Sequence, residues 1–152
     1  MFPYPIYSNG VNRKSVYGFT DTYTVGSEAV TISARGTIGW HTIRQAKFTP
    51  IVRLIVLIPK THIISNKFLN YILDVAEICH SGGNIPQLTV PNVKKIKIPV
   101  PSLAEQERIV EILDKFEALV NDISSGLPAE IAARRKQYEY YRNQLLTFKE
   151  AC

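Results

Sequence analysis

Two rhythms of apolar residues divide the chain. Ala29 to Ala34 alternates apolar and small polar positions, the period-two pattern of a half-buried strand. Arg35-Gly36-Thr37-Ile38-Gly39-Trp40 is a glycine-punctuated loop leading into another short extended segment. Ile51 to Ile58 is a continuous apolar run interrupted by Arg53 and closed by Pro59, which predicts a buried strand. Tyr7-Ser8-Asn9-Gly10 is a turn signal, and its Asn-Gly pair favours a tight hairpin. Between Asn66 and Ile78, Phe68, Leu69, Ile72, Leu73 and Ala76 recur at helical spacing, with Ser65 placed to cap the helix. Ser81-Gly82-Gly83-Asn84 ends it, and two extended pieces follow, Leu88–Val90 and Lys94–Ile98, split by Pro91-Asn92.

The rhythm then becomes helical for the rest of the chain. Pro99 and Pro101 have no N–H to donate, so neither a central strand nor a helix interior runs through them. Ser102 offers an oxygen to the first free helix N–H groups, and Glu105 is spaced to close a capping box. Ile109, Ile112, Phe116, Leu119 and Ile123 follow at coiled-coil spacing, with Leu113 and Val120 widening the stripe. Gly126 suits the C-terminal cap of that helix and Pro128 the first turn of the next. In the second helix Ile131, Tyr138 and Leu145 repeat every seven residues, interleaved with Arg134, Tyr141 and Phe148. A polar Arg134 in an apolar seam is a device for fixing register or partner, and Arg135 and Glu139 stand one turn apart and can pair. The expected fold class is therefore α+β. A β-rich domain spans residues 1–101, and a long coiled-coil-like helical extension spans 102–152.

Charge sharpens this division. Residues 1–101 carry 11 Lys and Arg against 4 Asp and Glu, a balance of +7, while residues 102–152 carry 7 against 9. A basic front fits an anionic partner such as nucleic acid. Two cysteines, Cys79 and Cys152, without metal-ligand spacing point to a reduced, cytoplasmic setting. The opening residues lack a charged leader with an apolar run, and the most apolar stretch is too short to span a bilayer, so no membrane partner is expected.

Catalytic chemistry is not visible. His41, His62 and His80 are scattered, and Asp74 and Glu77 fit a solvated helix face. Gly36-Thr37-Ile38-Gly39 is neither a P-loop nor a dinucleotide fingerprint, and the Pro-Pro-Tyr motif of adenine methyltransferases is absent. What remains is binding. Arg reads guanine and Asn or Gln reads adenine, while Lys, Ser, Thr, Tyr and backbone N–H groups hold phosphates. Such residues cluster in the loops: Asn9, Asn12, Arg13, Lys14, Tyr17, Arg35, Gly36, Thr37, Gly39, His41, Asn84, Gln87 and Lys94. Arg35 carries the most weight, because its small neighbours Ala34 and Gly36 leave it free to reach a groove. Trp40 fits a core position better than a stacking wedge.

The segment from Ile98-Pro99-Val100-Pro101 through Glu105-Gln106 to Ile109 resembles the boundary motif of the specificity subunits of type I restriction–modification enzymes. Leu127 to Arg142 is similar to the conserved helix of many members. Tyr7–Gly10, Gly18, Arg35–Gly39 and Asn84–Leu88 fall in the order of a target recognition domain. The resemblance covers nearly the whole chain and implies a division of labour. The recognition domain would read half of a split target in double-stranded DNA. The helices would space the half-sites, dock the modification subunits and connect indirectly to the restriction motor. S-adenosylmethionine, ATP and Mg would belong to those partners, with no cofactor or metal on this chain.

The resemblance has two departures. Specificity subunits carry two recognition domains and two helical regions, whereas this chain shows one of each. The usual opening strand of the recognition domain is also missing, which implies an N-terminally shortened domain with an exposed sheet edge. Pairing of two copies would rebuild two readers and predict a palindromic split target. The competing expectation is a helical protein-interaction adaptor that has lost DNA binding.

Overall fold

The computed structural model describes residues 2–76, 78, 87–122 and 128–147. Sheets and helices form two compact units, Met1–Ile98 and Pro99–Cys152. The first unit holds two three-stranded sheets. In one, β1 (Tyr4–Tyr7) lies between β2 (Val16–Thr20), antiparallel to it, and β5 (Thr49–Pro50), parallel to it. In the other, β3 (Ala29–Ser33) lies between β4 (His41–Arg44) and β6 (Leu54–Leu57), antiparallel to both.

Small side chains let β3 sit at the centre. Ala29, Val30, Thr31, Ile32 and Ser33 are all fully buried, so the strand is covered on both faces and not on one as its alternation predicts. Thr31 and Ser33 tolerate this because they are small. The Thr31 hydroxyl donates to the Thr42 carbonyl at 3.3 Å. Phe48, Val25 and Ala29 form a core with Tyr7 and Val56 packed on its edge, and the rings of Tyr7 and Phe48 meet edge to face at 5.6 Å. Against β3 and β4 packs α1 (Asn66–Leu73), which buries Phe68, Leu69, Tyr71, Ile72 and Leu73. Ser65 caps it as expected, its hydroxyl accepting from Phe68 N at 3.1 Å.

Four elements differ from the sequence reading. The Asn9-Gly10 signal does not make a two-residue hairpin. The chain between β1 and β2 includes a 3-10 turn, Asn12–Ser15, closed by Ser8 N donating to Ser15 O at 2.8 Å. The strand expected over Ile51–Ile58 is confined to Leu54–Leu57, because Val52 and Arg53 turn between the two sheets. The α1 helix ends at Leu73, ahead of the expected Ile78. Val90–Lys94, read as the ends of extended pieces, forms a short helix, α2. Pro91 starts this helix and does not break it. A proline costs no hydrogen bond in the first turn, and the Thr89 hydroxyl accepts from Asn92 N at 3.4 Å.

The second unit is a helical hairpin of α3 (Leu103–Asp122) and α4 (Pro128–Leu146). Ser102 caps α3, accepting from Glu105 N at 3.3 Å. Glu105 does not complete the capping box. Its carboxylate grips Arg108 instead, at 2.6 and 2.9 Å, and that guanidinium holds the carboxyl below its usual pKa. Gln106 is fully buried and donates to the Pro101 carbonyl at 2.8 Å, so the proline-rich entry is tied to the first turn. Phe116 stacks on Tyr141 at 5.3 Å, and Val120 shares a cleft with Arg135 and Tyr138. Later residues of α3 thus meet earlier residues of α4, which makes the pair antiparallel.

Candidate nucleic-acid interface

Three loops of the first unit converge through backbone hydrogen bonds. Ile51 N donates to Tyr7 O at 2.8 Å, Ala34 N to Arg53 O at 2.9 Å, and Leu88 N to Ala34 O at 2.9 Å. The connections after β1, β3 and β5 and the segment at Gln87 are therefore joined edge to edge. Loops tied in this way present their side chains at fixed spacing, as a binding surface requires.

The β1–β2 connection has a steric reason for its glycine. A Cβ on Gly10 would lie 2.5 Å from the Lys14 carbonyl oxygen. With Gly10 there, the chain doubles back, Asn12 takes φ 54°, and the Ser15 hydroxyl donates to the Asn12 carbonyl at 2.6 Å. Asn12, Arg13 and Lys14 are left exposed at the tip, and Tyr17 is exposed on β2. Asn9 is different: its side-chain oxygen is buried without a partner, so it faces inward.

The β3–β4 connection is tighter. Gly36 and Gly39 take φ values of 76° and 84°, which favour glycine, and Gly39 N and Trp40 N donate to Ser33 O and Thr37 O at 3.0 and 3.1 Å. Gly36 and Thr37 form an exposed tip, with Arg35 half-buried at its base. Gln87 is exposed beside this loop, next to Leu88. Lys94 is exposed in the last turn of α2, outside the hydrogen-bonded array. Asn84 lies outside the described residues.

His41 is corrected. Its side chain is only 8% exposed, and both ring nitrogens face acceptors. Nδ1 lies 2.8 Å from the Gly39 carbonyl, and Nε2 lies 3.0 Å from the Asn70 carbonyl and 3.4 Å from Asp74. A neutral imidazole carries one N–H and one lone pair, so only the imidazolium satisfies both sides. Burial is the largest influence and pushes the pKa down. The Asp74 carboxylate and the two carbonyls together outweigh it, and the net shift is upward. His41 is thus a staple between the β3–β4 loop and α1. Asp74, expected on a solvated face, is its partner.

Two arginines missed as site residues enter here. Arg53 is exposed at φ 72°, a backbone region that non-glycine residues seldom occupy, and its carbonyl holds Ala34. Its signal was a charge inside an apolar run. Arg44 lies over the Tyr7 ring at 4.0 Å and near the Trp40 ring at 5.6 Å, and its Nη2 donates to the Ser15 hydroxyl at 2.8 Å. Burial lowers its pKa. Trp40 is half-buried and belongs to this arginine's setting as much as to a core. Nothing in the sequence pairs residues 7, 15, 40 and 44.

The helical seam is only partly covered within the chain. Ile109 and Leu113 are buried and Ile112, Phe116 and Val120 half-buried, but Leu119 is 50% exposed. On α4, Ile131, Tyr138 and Leu145 are half-buried and Leu146 is buried. Arg134 is exposed and pairs with Glu130 of its own helix at 3.3 Å. Tyr141 is spent on the intrachain stack with Phe116. Ile123, Gly126 and Phe148, like both cysteines, lie outside the described residues.

A β-rich unit with tied loops and an antiparallel helical hairpin are thus the two parts of the fold. The chain belongs to the type I restriction–modification DNA specificity domain family, whose model matches residues 3–133. It is 36% identical to a putative type I specificity subunit of Mycoplasma pneumoniae over 148 residues, 97% of this chain and 44% of that one. A second M. pneumoniae relative, described as the C-terminus of a putative specificity subunit, is 38% identical over 130 residues, 86% of this chain and 89% of that one. The Escherichia coli EcoR124I/EcoR124II specificity subunit is 53% identical over 68 residues, 45% of this chain and 17% of its own. The chain thus spans less than half the length of several of its curated relatives. A solved S subunit from M. genitalium shares the fold with a TM-score of 0.61 and 18% identity, over 82% of this chain and 34% of that one. A chain from a type I assembly study does so with a TM-score of 0.67 and 17% identity, over 96% and 39%. Among the described residues no helix is long and apolar enough to cross a membrane.

Proposed function

We propose that this chain is a DNA-reading subunit of a type I restriction–modification enzyme. Its first unit reads one half of a split target, and its helical hairpin docks the modification subunit in the cytoplasm. Methyl transfer and cleavage belong to partner subunits with their own S-adenosylmethionine, ATP and Mg. The observation that carries this is the family match over residues 3–133, which spans the tied loops, all of α3 and the first turns of α4. Asn12, Arg13, Lys14, Tyr17, Arg35, Gly36, Thr37 and Gln87 are the proposed DNA contacts, with Arg53 added. Two copies, each supplying one reader, would make the target palindromic.

The test is a map of methylated adenines in DNA after co-expression with the modification subunit of its own genome. A two-part palindromic motif is expected. A complex that forms without methylating DNA would favour the helical adaptor.

A further inference from the structure

Among the described residues the charge of Arg44 meets no carboxylate. The guanidinium is half-buried, and its Nε is buried without an acceptor. Its hydrogen-bonding neighbours among the described residues are two hydroxyls, those of Tyr7 and Ser15, and Ser15 in turn donates to the Asn12 carbonyl. Taking a cation partly out of water is costly, and a neutral side chain of similar length would fill the space without that cost. What the fold gains is a planar cation held flat on Tyr7 before any partner arrives, so little freedom is lost on binding. We infer that Arg44 is a phosphate-binding arginine, seated to receive a phosphodiester oxygen of duplex DNA lying across the β1–β2 and β3–β4 loops. This rests on the DNA-reading function proposed above. Arg44 is set back between aromatic walls and does not extend into a groove, so its contribution is independent of base sequence. The exposed tips at Asn12–Lys14 and Gly36–Thr37 are left for the bases.

The experiment measures how the affinity of the whole chain for a duplex of arbitrary sequence falls with salt. Arg44→Met is expected to weaken binding and to flatten the slope of log affinity against log salt by ~0.9, the effect of one lost phosphate contact. Arg44→Lys, which keeps the charge, is expected to hold the slope. Circular dichroism checks that each variant is folded. If Arg44→Met does not fold, Ser15→Ala replaces it: the charge stays but its seat is loosened, so affinity falls severalfold with the slope held. An unchanged slope in folded Arg44→Met, or an unchanged affinity in Ser15→Ala, overturns the assignment and leaves the DNA-reading function standing. A wild-type chain that binds no duplex at low salt overturns both.

Discussion

The two faces of β4 treat a cation in opposite ways. His41 and Arg44 stand three residues apart, and an odd spacing on a strand sends them to opposite sides. On the side of α1, His41 meets the Asp74 carboxylate and two carbonyls. On the side of β1, Arg44 meets two aromatic rings and a hydroxyl. A cation ringed by acceptors holds a fold together. One without an anion weakens the fold slightly and is kept for an anion from outside. Residue type and exposure do not separate these roles, whereas the chemistry of the immediate neighbours does.

The widest break in this comparison comes from removing each cation. His41→Leu strands the Gly39 and Asn70 carbonyls and the Asp74 carboxylate, and is expected to cost about 3 kcal/mol in urea unfolding. Arg44→Met is expected to change stability by less than ~1 kcal/mol, since the lost ring and hydroxyl contacts are offset by relief of a desolvated charge. Equal costs for the two would erase the distinction. Gly10→Ala comes next. Its methyl group would collide with backbone at Lys14, costing about 2 kcal/mol and loosening the turn that seats Ser15, so DNA affinity falls as well.

Acidity separates the faces without a change of volume. The folded pKa of His41 lies above its unfolded value, so its stabilisation is complete below the unfolded pKa and is lost as pH rises through the folded one. Urea midpoints of the wild type are expected to fall across that range, and those of Asp74→Asn to fall less. The smallest effect is at Gly36. A Cβ there meets nothing within 4 Å, so Gly36→Ala bears only the strain of φ 76°, ~1 kcal/mol in thermal unfolding.

Local signals were legible where one residue type decides the outcome. Ser65 and Ser102 cap the helices they precede, and the glycines of the β3–β4 loop take the conformations glycine favours. Errors came where distant residues decide. The burial of β3 on both faces depends on α1 and on the cluster of Val25, Phe48 and Tyr7 around Ala29. Pro91 broke nothing, because Thr89 converts the same residue from a stop into a start. In the candidate site, the loop tips were visible by composition. The surroundings of His41 and Arg44 were not visible, since they are set by Asp74, Tyr7 and Ser15 across the fold. The heptad pattern marked apolar positions of α3 but could not say that α4 of the same chain covers part of them.

The parallel pairing of β1 with β5 has a consequence for how the protein comes into being. Tyr7 aligns with Pro50, so the first strand made cannot complete its sheet until the chain has run through three further strands, β2, β3 and β4. The β1–β2 and β3–β4 hairpins close over short distances and form early, while the contacts of Tyr7 with Ile51, Ala34 with Arg53 and Leu88 with Ala34 wait for remote partners. Those late contacts are the ones that bring the loops together. On this topology a nascent chain is expected to have hairpins before its loops are joined, and the proposed DNA surface would be assembled last.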